Sequence, residues 1–355
     1  MNQEAREARP PFRPIRVLVV DDSAFMRVTL SKRLAGEADL EVVGTARDGQ
    51  EALAQVAALQ PDVVTMDVQM PRLDGLGALV QIMAERPTPV IMVSSLTVQG
   101  AEITARALTL GAVDCVAKPS QVIGLEGMIA ELAAKIRQVA GSRVRRLKAG
   151  FLSSRNALDK PLPRALSSGD HILAIGSSTG GPAALCHLFG QLPAELDAAA
   201  VVVQHMPAGF TRSLANHLNR VSGWKVKEAE PGDRLLCGQA LLAPGGLHMV
   251  VNQRGEVMLT EEPPVNAVRP AADVTMRSVA AVYGERVVGV VLTGMGRDGT
   301  EGALAIRACG GQVIAEAEST CVVYGMPRSV VEAGAANYVV PLHEIVPLIH
   351  RLLKG

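Results

Sequence analysis

The sequence has little of what nucleic-acid-binding, membrane and secreted proteins need. Aromatic residues make up only 3% of its 355 residues, and 35 basic side chains balance 35 acidic ones. Binding to nucleic acid relies on basic surfaces and aromatic stacking, so we expect no nucleic-acid partner. No apolar run reaches the roughly 18 to 20 residues of a membrane-spanning helix, and we expect no membrane insertion. The chain begins MNQEAREARPPFRP, without the apolar stretch of a secretory signal, which predicts a cytoplasmic protein.

Cysteine is also scarce. The five cysteines stand far apart and include no Cys-x-x-Cys pair: Cys115, Cys186, Cys237, Cys309 and Cys321. This spacing indicates neither a zinc site nor a disulfide framework. We expect the cysteines to be reduced, mostly buried and chemically inert.

What the sequence does contain is two α/β segments. A chain of 355 residues predicts two domains at about 150 residues each. In residues 14–138, short apolar runs alternate with helical patterns, which predicts a (βα)5 domain around a parallel sheet. Residues 139–169 lose this periodicity and are rich in Ser, Pro, Gly and basic residues, as in a linker. Residues 170–355 predict a second doubly wound, mostly parallel α/β domain, with an antiparallel hairpin at VVNQRGEVML.

Polar residues follow the predicted strands of the first domain. Ligands of an open parallel sheet bind at the carboxyl ends of its strands, and the residues there are Asp21, Asp22, Asp67, Ser94 and Lys118. Three converging carboxylates predict a cation site, and oxygen ligands favour Mg²⁺. The lysine beside them is explained if Asp67 attacks a phosphoryl group whose oxygens are held by Mg²⁺ and Lys118. Ser94 would hydrogen-bond that group, and we predict a phosphoryl-acceptor site.

The segments VLVVDDSAFMR, PDVVTMDVQMPRLDG, PVIMVSS and AKP resemble the flavodoxin-like receiver domain of response regulators. The resemblance implies Asp67 as the phosphorylated residue, Ser94 and Lys118 as its switch pair, and a cis bond between Lys118 and Pro119. It implies a chemotaxis histidine kinase (CheA) as phosphodonor. The residues that it assigns to Mg²⁺ are Asp21, Asp22, Asp67 and, through its carbonyl, Gln69.

In the second domain, the run IGSSTGG lies between a predicted strand and a predicted helix. Residues 176–180 fit G-x-S-x-G, a turn that exposes a nucleophilic serine above a sheet. Taken alone, the motif also fits a simple chain reversal or a phosphate-binding turn at a helix N-terminus. Ser178 holds the central position, so we assign it as the nucleophile and regard Ser177 as a spacer.

A nucleophilic serine needs a base and a group that orients the base. His205 and Asp298 follow predicted strands and so reach the same sheet edge as Ser178. The other histidines lie in helical patterns, at a strand start or near the C-terminus, and His248 is the only rival. We therefore predict a triad of Ser178, His205 and Asp298.

The residues predicted around this triad would hold the oxyanion or line the cleft. The Met295 N–H and the helix N-terminus at Gly180 and Gly181 are candidate oxyanion donors. Thr179 and His248 are predicted to line the cleft.

The segments GSSTGGP, QHMPAGFT, APGGLHM, RPAADV and LTGMGRDG together resemble the chemotaxis protein-glutamate methylesterase (CheB) family, which has an N-terminal receiver. The resemblance assigns nucleophile, base and orienting carboxylate to Ser178, His205 and Asp298; many members carry alanine at position 177. It implies hydrolysis of γ-methyl glutamate esters on the cytoplasmic helices of methylated chemoreceptors, with release of methanol. In some members receptor glutamines are also deamidated, and the esterase chemistry needs no cofactor.

Two alternatives stay open at the level of the sequence. The second domain could be a docking module without catalysis, although the complete triad set argues against this. The chain could also be a response regulator that acts on DNA. Its neutral charge and the absence of a basic recognition-helix pattern oppose that alternative.

Overall fold

The computed structural model describes residues 13–95, 97–119, 124–142, 144 and 160–354. The first domain is a five-stranded parallel sheet in the order β2-β1-β3-β4-β5. Its elements are β1 (Ile15–Val20), α1 (Ala24–Leu34), β2 (Leu40–Ala46), α2 (Gly49–Leu59), β3 (Val63–Asp67), α3 (Gly75–Glu85), β4 (Val90–Ser95), α4 (Val98–Thr109), β5 (Asp114–Lys118) and α5 (Leu125–Val139).

Capping side chains determine where the first four helices begin. Ser23, Asp48, Asp74 and Thr97 stand just before α1, α2, α3 and α4, and the side chain of each accepts a backbone N–H of the following helix. Such caps satisfy amides that the first turn of a helix leaves unpaired. The chain therefore turns within a few residues of each strand end, which keeps the polar residues of the strand ends at one edge of the sheet.

The second domain is built on a seven-stranded sheet in the order β16-β15-β14-β7-β8-β11-β9, in which all pairs are parallel. Its elements are β6 (Arg164–Ala165), β7 (His171–Ser177), α6 (Gly181–Gln191), β8 (Ala198–Gln204), α7 (Phe210–Val221), β9 (Lys225–Glu228), β10 (Leu236–Cys237), β11 (Gln239–Leu242), β12 (His248–Val251), β13 (Val257–Thr260), α8 (Ala272–Tyr283), β14 (Val287–Val291), α9 (Thr300–Ala308), β15 (Gln312–Glu316), α10 (Met326–Glu332), β16 (Tyr338–Val340) and α11 (Leu342–Lys354).

The predicted fold class is confirmed, including the antiparallel hairpin, which is formed by β12 and β13. Two short pairings were not predicted. β6 lies inside the segment assigned to the linker and pairs with β10, and β9 forms an edge of the large sheet. The expected cis bond at Lys118–Pro119 was wrong, since the cis bond of the described residues joins Arg269 and Pro270. No helix in the described ranges is long and apolar enough to cross a membrane.

The two domains are packed against each other through helices. Helix α4 of the first domain lies on α6 and α7 of the second. Buried apolar side chains from both domains, among them Leu108, Phe189 and Leu214, belong to one cluster. At the margin of this contact, a salt bridge joins Glu102 to Arg220 (3.7 Å). The Gly180 N–H, two residues after Ser178, donates to the Val113 carbonyl of the first domain (2.8 Å), so the first domain lies beside the predicted triad.

Candidate active site and phosphoacceptor site

Two adjacent serines occupy the end of β7 and the turn that follows, and the structure places them differently. Ser178 lies in the turn and is partly exposed, whereas Ser177 ends β7 and is 0% exposed. Gly180, with a φ of 78°, turns the chain into α6, and glycine adopts this left-handed conformation without strain. The Ser178 N–H donates to the Thr293 carbonyl (3.1 Å). Of the two hydroxyls, that of Ser178 is the one a substrate can reach.

Gln204, the last residue of β8, connects this turn to the neighbouring strand. Its Oε1 accepts from Ser177 Oγ (2.7 Å), and its Nε2 donates to the carbonyls of Ser178 (2.9 Å) and His205 (3.0 Å). A Cβ at position 181 would lie 2.0 Å from Gln204 Oε1, so any residue larger than glycine there would displace the side-chain amide of Gln204. Gln204 therefore holds the backbone of Ser178 next to that of His205. Sequence reasoning missed it, and the available signal was a polar residue closing the apolar run AAVVVQ.

The predicted base and orienting carboxylate are in direct contact. His205 Nε2 lies 2.7 Å from Asp298 Oδ2, and the two side chains are 10% and 2% exposed. Ser177 pairs with Gln204 across β7 and β8, so Ser178 and His205 follow directly at the same sheet edge. In the part of the chain that the structure describes, no hydrogen bond joins the Ser178 hydroxyl to His205. The structure thus brings the three residues to one edge and pairs two of them.

Four donors surround the Asp298 carboxylate. Oδ2 accepts from His205 and from the Ala272 N–H (2.5 Å), and Oδ1 accepts from the Asp273 N–H (3.1 Å) and Asn266 Nδ2 (3.2 Å). Burial alone would raise the pKa of Asp298. The hydrogen bond and charge of His205, together with the two backbone amides at the start of α8, outweigh burial and hold this pKa below its ordinary value. Asp298 is therefore held as a carboxylate that faces His205.

The loop after β14 brings a backbone amide close to the nucleophile turn. A Cβ on Gly294 would lie 2.8 Å from Ser178 Cβ, so glycine permits this close approach. The next residue, Met295, is 47% exposed, and its N–H has no hydrogen-bond partner within the described ranges. Its position agrees with an oxyanion donor, and that role stays a prediction.

His248 was predicted to line the cleft, and the structure shows otherwise. It is 1% exposed; its Nε2 lies 3.1 Å from the Pro263 carbonyl, and its Nδ1 accepts from the Ala271 N–H (3.2 Å). Both ring nitrogens are therefore paired with backbone groups. His248 is the first residue of β12, and its side chain points into the protein interior rather than into the cleft. Thr179 is also buried, at 3% exposed, and its hydroxyl donates to Asp114 of the first domain.

The predicted phosphoacceptor residues do meet at one edge of the first sheet. Carboxylate oxygens of Asp21, Asp22 and Asp67 lie within 4.8 Å of one another. Lys118 Nζ lies 2.8 Å from Asp21 Oδ2 and 2.7 Å from Asp67 Oδ2. Burial raises the pKa of Asp67, and the charge of Lys118 offsets only part of this effect. Three carboxylates with oxygen donors on one edge fit a hard cation such as Mg²⁺.

Ser94 and Gln69 were also predicted to belong to this site. Ser94 is 0% exposed, and its hydroxyl donates to the carbonyls of Ser95 (3.3 Å) and Gly100 (3.4 Å). It is therefore directed toward the start of α4, and its contact with a phosphoryl group stays a prediction. Gln69 is exposed two residues beyond Asp67, and its carbonyl as a metal ligand is likewise a prediction.

The start of β5 in the first domain contacts the residues that follow Ser178. The Gly180 N–H donates to the Val113 carbonyl (2.8 Å), and the Thr179 hydroxyl donates to Asp114 Oδ2. Asp114 Oδ1 in turn accepts from Lys135 Nζ (2.8 Å). Burial would lower the pKa of Lys135, but the nearby Asp114 carboxylate raises it above its ordinary value. We call these contacts of Val113 and Asp114 with Gly180 and Thr179 the interdomain latch.

Comparisons with known proteins identify the families to which the two parts of this chain are similar. Residues 173–349 match the CheB methylesterase family, and residues 17–130 match the response regulator receiver domain. A protein-glutamate methylesterase/protein-glutamine glutaminase of Symbiobacterium thermophilum is 54% identical over 351 residues, covering 96% of this chain and 97% of its own. A protein of the same description from Thermotoga maritima is 48% identical over 338 residues, 94% and 97% of the two chains. The crystal structure of the Thermotoga maritima CheB methylesterase catalytic domain is 46% identical, with a TM-score of 0.50, over 52% of this chain and 98% of that domain.

Proposed function

We propose that this chain, which belongs to the CheB methylesterase family and carries a response regulator receiver domain, hydrolyses glutamate γ-methyl esters on chemoreceptors. Deamidation of receptor glutamines belongs to the same proposal, because relatives over nearly the whole chain carry both activities in their names. These relatives disfavour a second domain that only docks. The proposed partners are the cytoplasmic helices of methylated receptors and a chemotaxis histidine kinase as phosphodonor. With these partners, the protein would act in the cytoplasm.

The observation that carries the catalytic proposal is the 2.7 Å contact between His205 Nε2 and Asp298 Oδ2. A carboxylate accepts a hydrogen bond, so Nε2 carries the proton and Nδ1 keeps the lone pair. Nδ1 of His205 is therefore the atom that takes the proton from Ser178. For this step the Ser178 hydroxyl has to turn toward the ring, as apo geometries of hydrolases often require.

The reaction then follows from the residues. Ser178 Oγ attacks the ester carbonyl, the Met295 N–H donates to the oxyanion, and the positive end of the α6 dipole stabilises its charge. His205 gives its proton to the departing methanol, which leaves an acyl-enzyme on Ser178. A water molecule, deprotonated by His205, attacks this ester and releases the glutamate side chain. Deamidation uses the same steps, with ammonia as the leaving group.

The interdomain latch supports inhibition of the unphosphorylated protein by occlusion. It engages Gly180 and Thr179, the two residues after the nucleophile, and it occupies the Gly180 N–H at the start of α6. While the first domain packs against Thr179 and Gly180, a receptor helix has less room to approach the partly exposed Ser178. Inhibition of this kind implies an equilibrium between a closed arrangement, with the latch formed, and an open one. Phosphorylation can shift this equilibrium only if the phosphoryl group interacts differently with the two arrangements.

The receiver site has a physical connection to the latch. β5 begins at Asp114, in the latch, and ends at Lys118, which contacts Asp67. Mg²⁺ held by Asp21, Asp22 and Asp67 would offset the negative charge of an incoming phosphoryl group. When Asp67 is phosphorylated, Lys118 gains a bulkier and more highly charged partner, and a shift of β5 would move Asp114 away from Thr179.

The test is methanol release from a methylated receptor fragment, measured with and without Mg²⁺ and a small phosphodonor. We expect slow release from the untreated full chain, faster release after phosphorylation, and none from the Ser178→Ala variant. A protein that binds the receptor but releases no methanol under either condition would establish the docking alternative instead.

A further inference from the structure

Two residues of left-handed conformation form a tight turn next to the triad. Val265 and Val268 exchange two backbone hydrogen bonds (3.1 and 3.0 Å), and between them Asn266 and Ala267 have φ values of 53° and 63°. Two consecutive positive φ angles inside such a pair define a type I′ turn. Asparagine tolerates this conformation, whereas the Cβ of alanine disfavours it. Such turns in non-glycine residues are found where the surroundings hold them in place.

The side chain of Asn266 holds this turn against two buried carboxylates. Its Nδ2 lies 2.8 Å from Asp273 Oδ2 and 3.2 Å from Asp298 Oδ1. Asp273 is 1% exposed, and its other oxygen accepts from the Gly302 N–H (2.8 Å). Burial raises the pKa of Asp273, and the negative charge of Asp298 raises it further. The hydrogen bonds that Asp273 accepts from Gly302 and Asn266 lower this pKa but do not outweigh burial. One amide group thus lies between the triad carboxylate and a second acidic side chain.

We propose that Asn266 is a positioning residue for the reaction: it keeps Asp298 oriented toward His205 and separates it electrostatically from Asp273. The inference rests on the proposed function, because it concerns how the triad performs it. Asp298 Oδ2 faces His205 and the Ala272 N–H, so the opposite oxygen determines the tilt of the carboxylate. That oxygen has two donors, a backbone amide and Asn266.

Loss of the amide has a defined electrostatic consequence. Without the Asn266 amide, Asp298 loses one hydrogen-bond donor, and no polar group separates its carboxylate from that of Asp273. The negative charge of Asp298 is then stabilised less, which makes its carboxylate more basic. A more basic carboxylate attracts a positively charged His205 more strongly, which would change the pH dependence of kcat. The positive charge of Arg277 also acts on Asp273 and lowers its pKa.

The experiment uses the full chain, activated by phosphodonor, with the Asn266→Gly variant. Glycine keeps the positive φ and removes only the amide, and the residue is exposed, so the fold should persist. We expect kcat to fall by about tenfold to a hundredfold, as for loss of one hydrogen bond to a charged group. KM should be unchanged, and the acid limb of the kcat profile should move to higher pH. Thermal melting should stay near that of the wild type.

Two variants serve as controls. Ala267→Gly changes the same turn without touching the carboxylates, and should leave the pH profile in place. Asn266→Asp keeps the shape but replaces the donor with a third carboxylate, and should be less active than Asn266→Gly. It also tests the inference independently if the glycine variant does not fold.

The outcomes separate the inference from the proposed function. If the wild type releases no methanol, the proposed function fails. If the wild type is active and Asn266→Gly keeps its kcat and pH profile, only the role of Asn266 is refuted. A loss of kcat with an unchanged pH profile and a lowered melting temperature would likewise refute it, because it would indicate a structural role.

Discussion

At the scale of single residues, the two serines of the turn have separate tasks. Ser177 is buried and donates to Gln204, which in turn binds the carbonyls of Ser178 and His205. Ser178 is partly exposed at the same sheet edge as His205. The hydroxyl of Ser177 thus orders the backbone on which catalysis depends, and that of Ser178 is free to react.

This division of tasks predicts different effects of two alanine substitutions. Ser178→Ala should lower methanol release by at least about a thousandfold, because the nucleophile is lost. Ser177→Ala should cost no more than about tenfold, because one hydrogen bond to Gln204 is lost and the turn remains. Initial rates with methylated receptor, together with circular dichroism of both variants, measure the difference. Equal losses in two folded variants would contradict the assignment.

At the scale of elements, β5 of the receiver and the start of α6 form the latch. The Asp114 carboxylate is held by Lys135 and accepts from the Thr179 hydroxyl, while α4 lies on α6 and α7. Apolar packing between these helices stabilises the contact between the two domains. The hydrogen bonds of the latch fix how the first domain is oriented against the second. A hydrogen bond to a charged group contributes about 1.5 to 3 kcal/mol.

The latch predicts that Thr179→Val relieves inhibition. Valine has nearly the shape of threonine but cannot donate to Asp114, so the closed arrangement should lose stability. The ratio of full-chain activity to the activity of the isolated second domain should rise about tenfold. Using the ratio removes any effect of the substitution on catalysis itself. Thr179→Ser keeps the hydroxyl and should leave the ratio at its wild-type value; if Thr179→Val also leaves it there, the hydroxyl has no part in inhibition.

At the scale of the whole molecule, the second domain should work without the first. A fragment that starts at Lys160 keeps β6, which pairs with β10, and Arg164, which bonds Asp170 and Asp197. A corresponding catalytic domain of the Thermotoga maritima relative has been solved alone. Such a fragment lacks the latch and the helix contacts of α4.

The rate of methanol release should differ between this fragment and the intact chain. The fragment should release methanol about tenfold faster than the unphosphorylated full chain, because no first domain packs beside Ser178 and restricts the approach of a receptor helix. Mg²⁺ with a small phosphodonor should raise full-chain activity toward that of the fragment. Asp67→Asn should keep the basal rate and lose this stimulation. Equal rates for the fragment and the unphosphorylated chain, at saturating receptor, would rule out occlusion in favour of a receiver that mainly docks on receptor or kinase.

Two strands and the orientation of His248 could not be predicted from sequence patterns. β9 has the sequence KVKE and was missed because its lysines look like a solvated loop, although edge strands commonly carry them. The two-residue strand β6 was missed because it forms only by pairing with a segment far along the chain. His248 follows the glycine-rich APGG and suggested an open cleft, but the hairpin turns its ring inward.

The two α/β domains and the chemical groups at each sheet edge can be predicted from the amino-acid sequence. Apolar periodicity, capping side chains and glycine turns act within a few residues, so they can be interpreted without knowing the rest of the fold. The tertiary structure alone decided that Asn266 reaches Asp298, that Gln204 joins Ser178 to His205, and that Asp114 accepts from Thr179. The partners in these contacts are mostly tens of residues apart in the chain. Their geometry depends on how helices and strands pack together, and no local pattern encodes it.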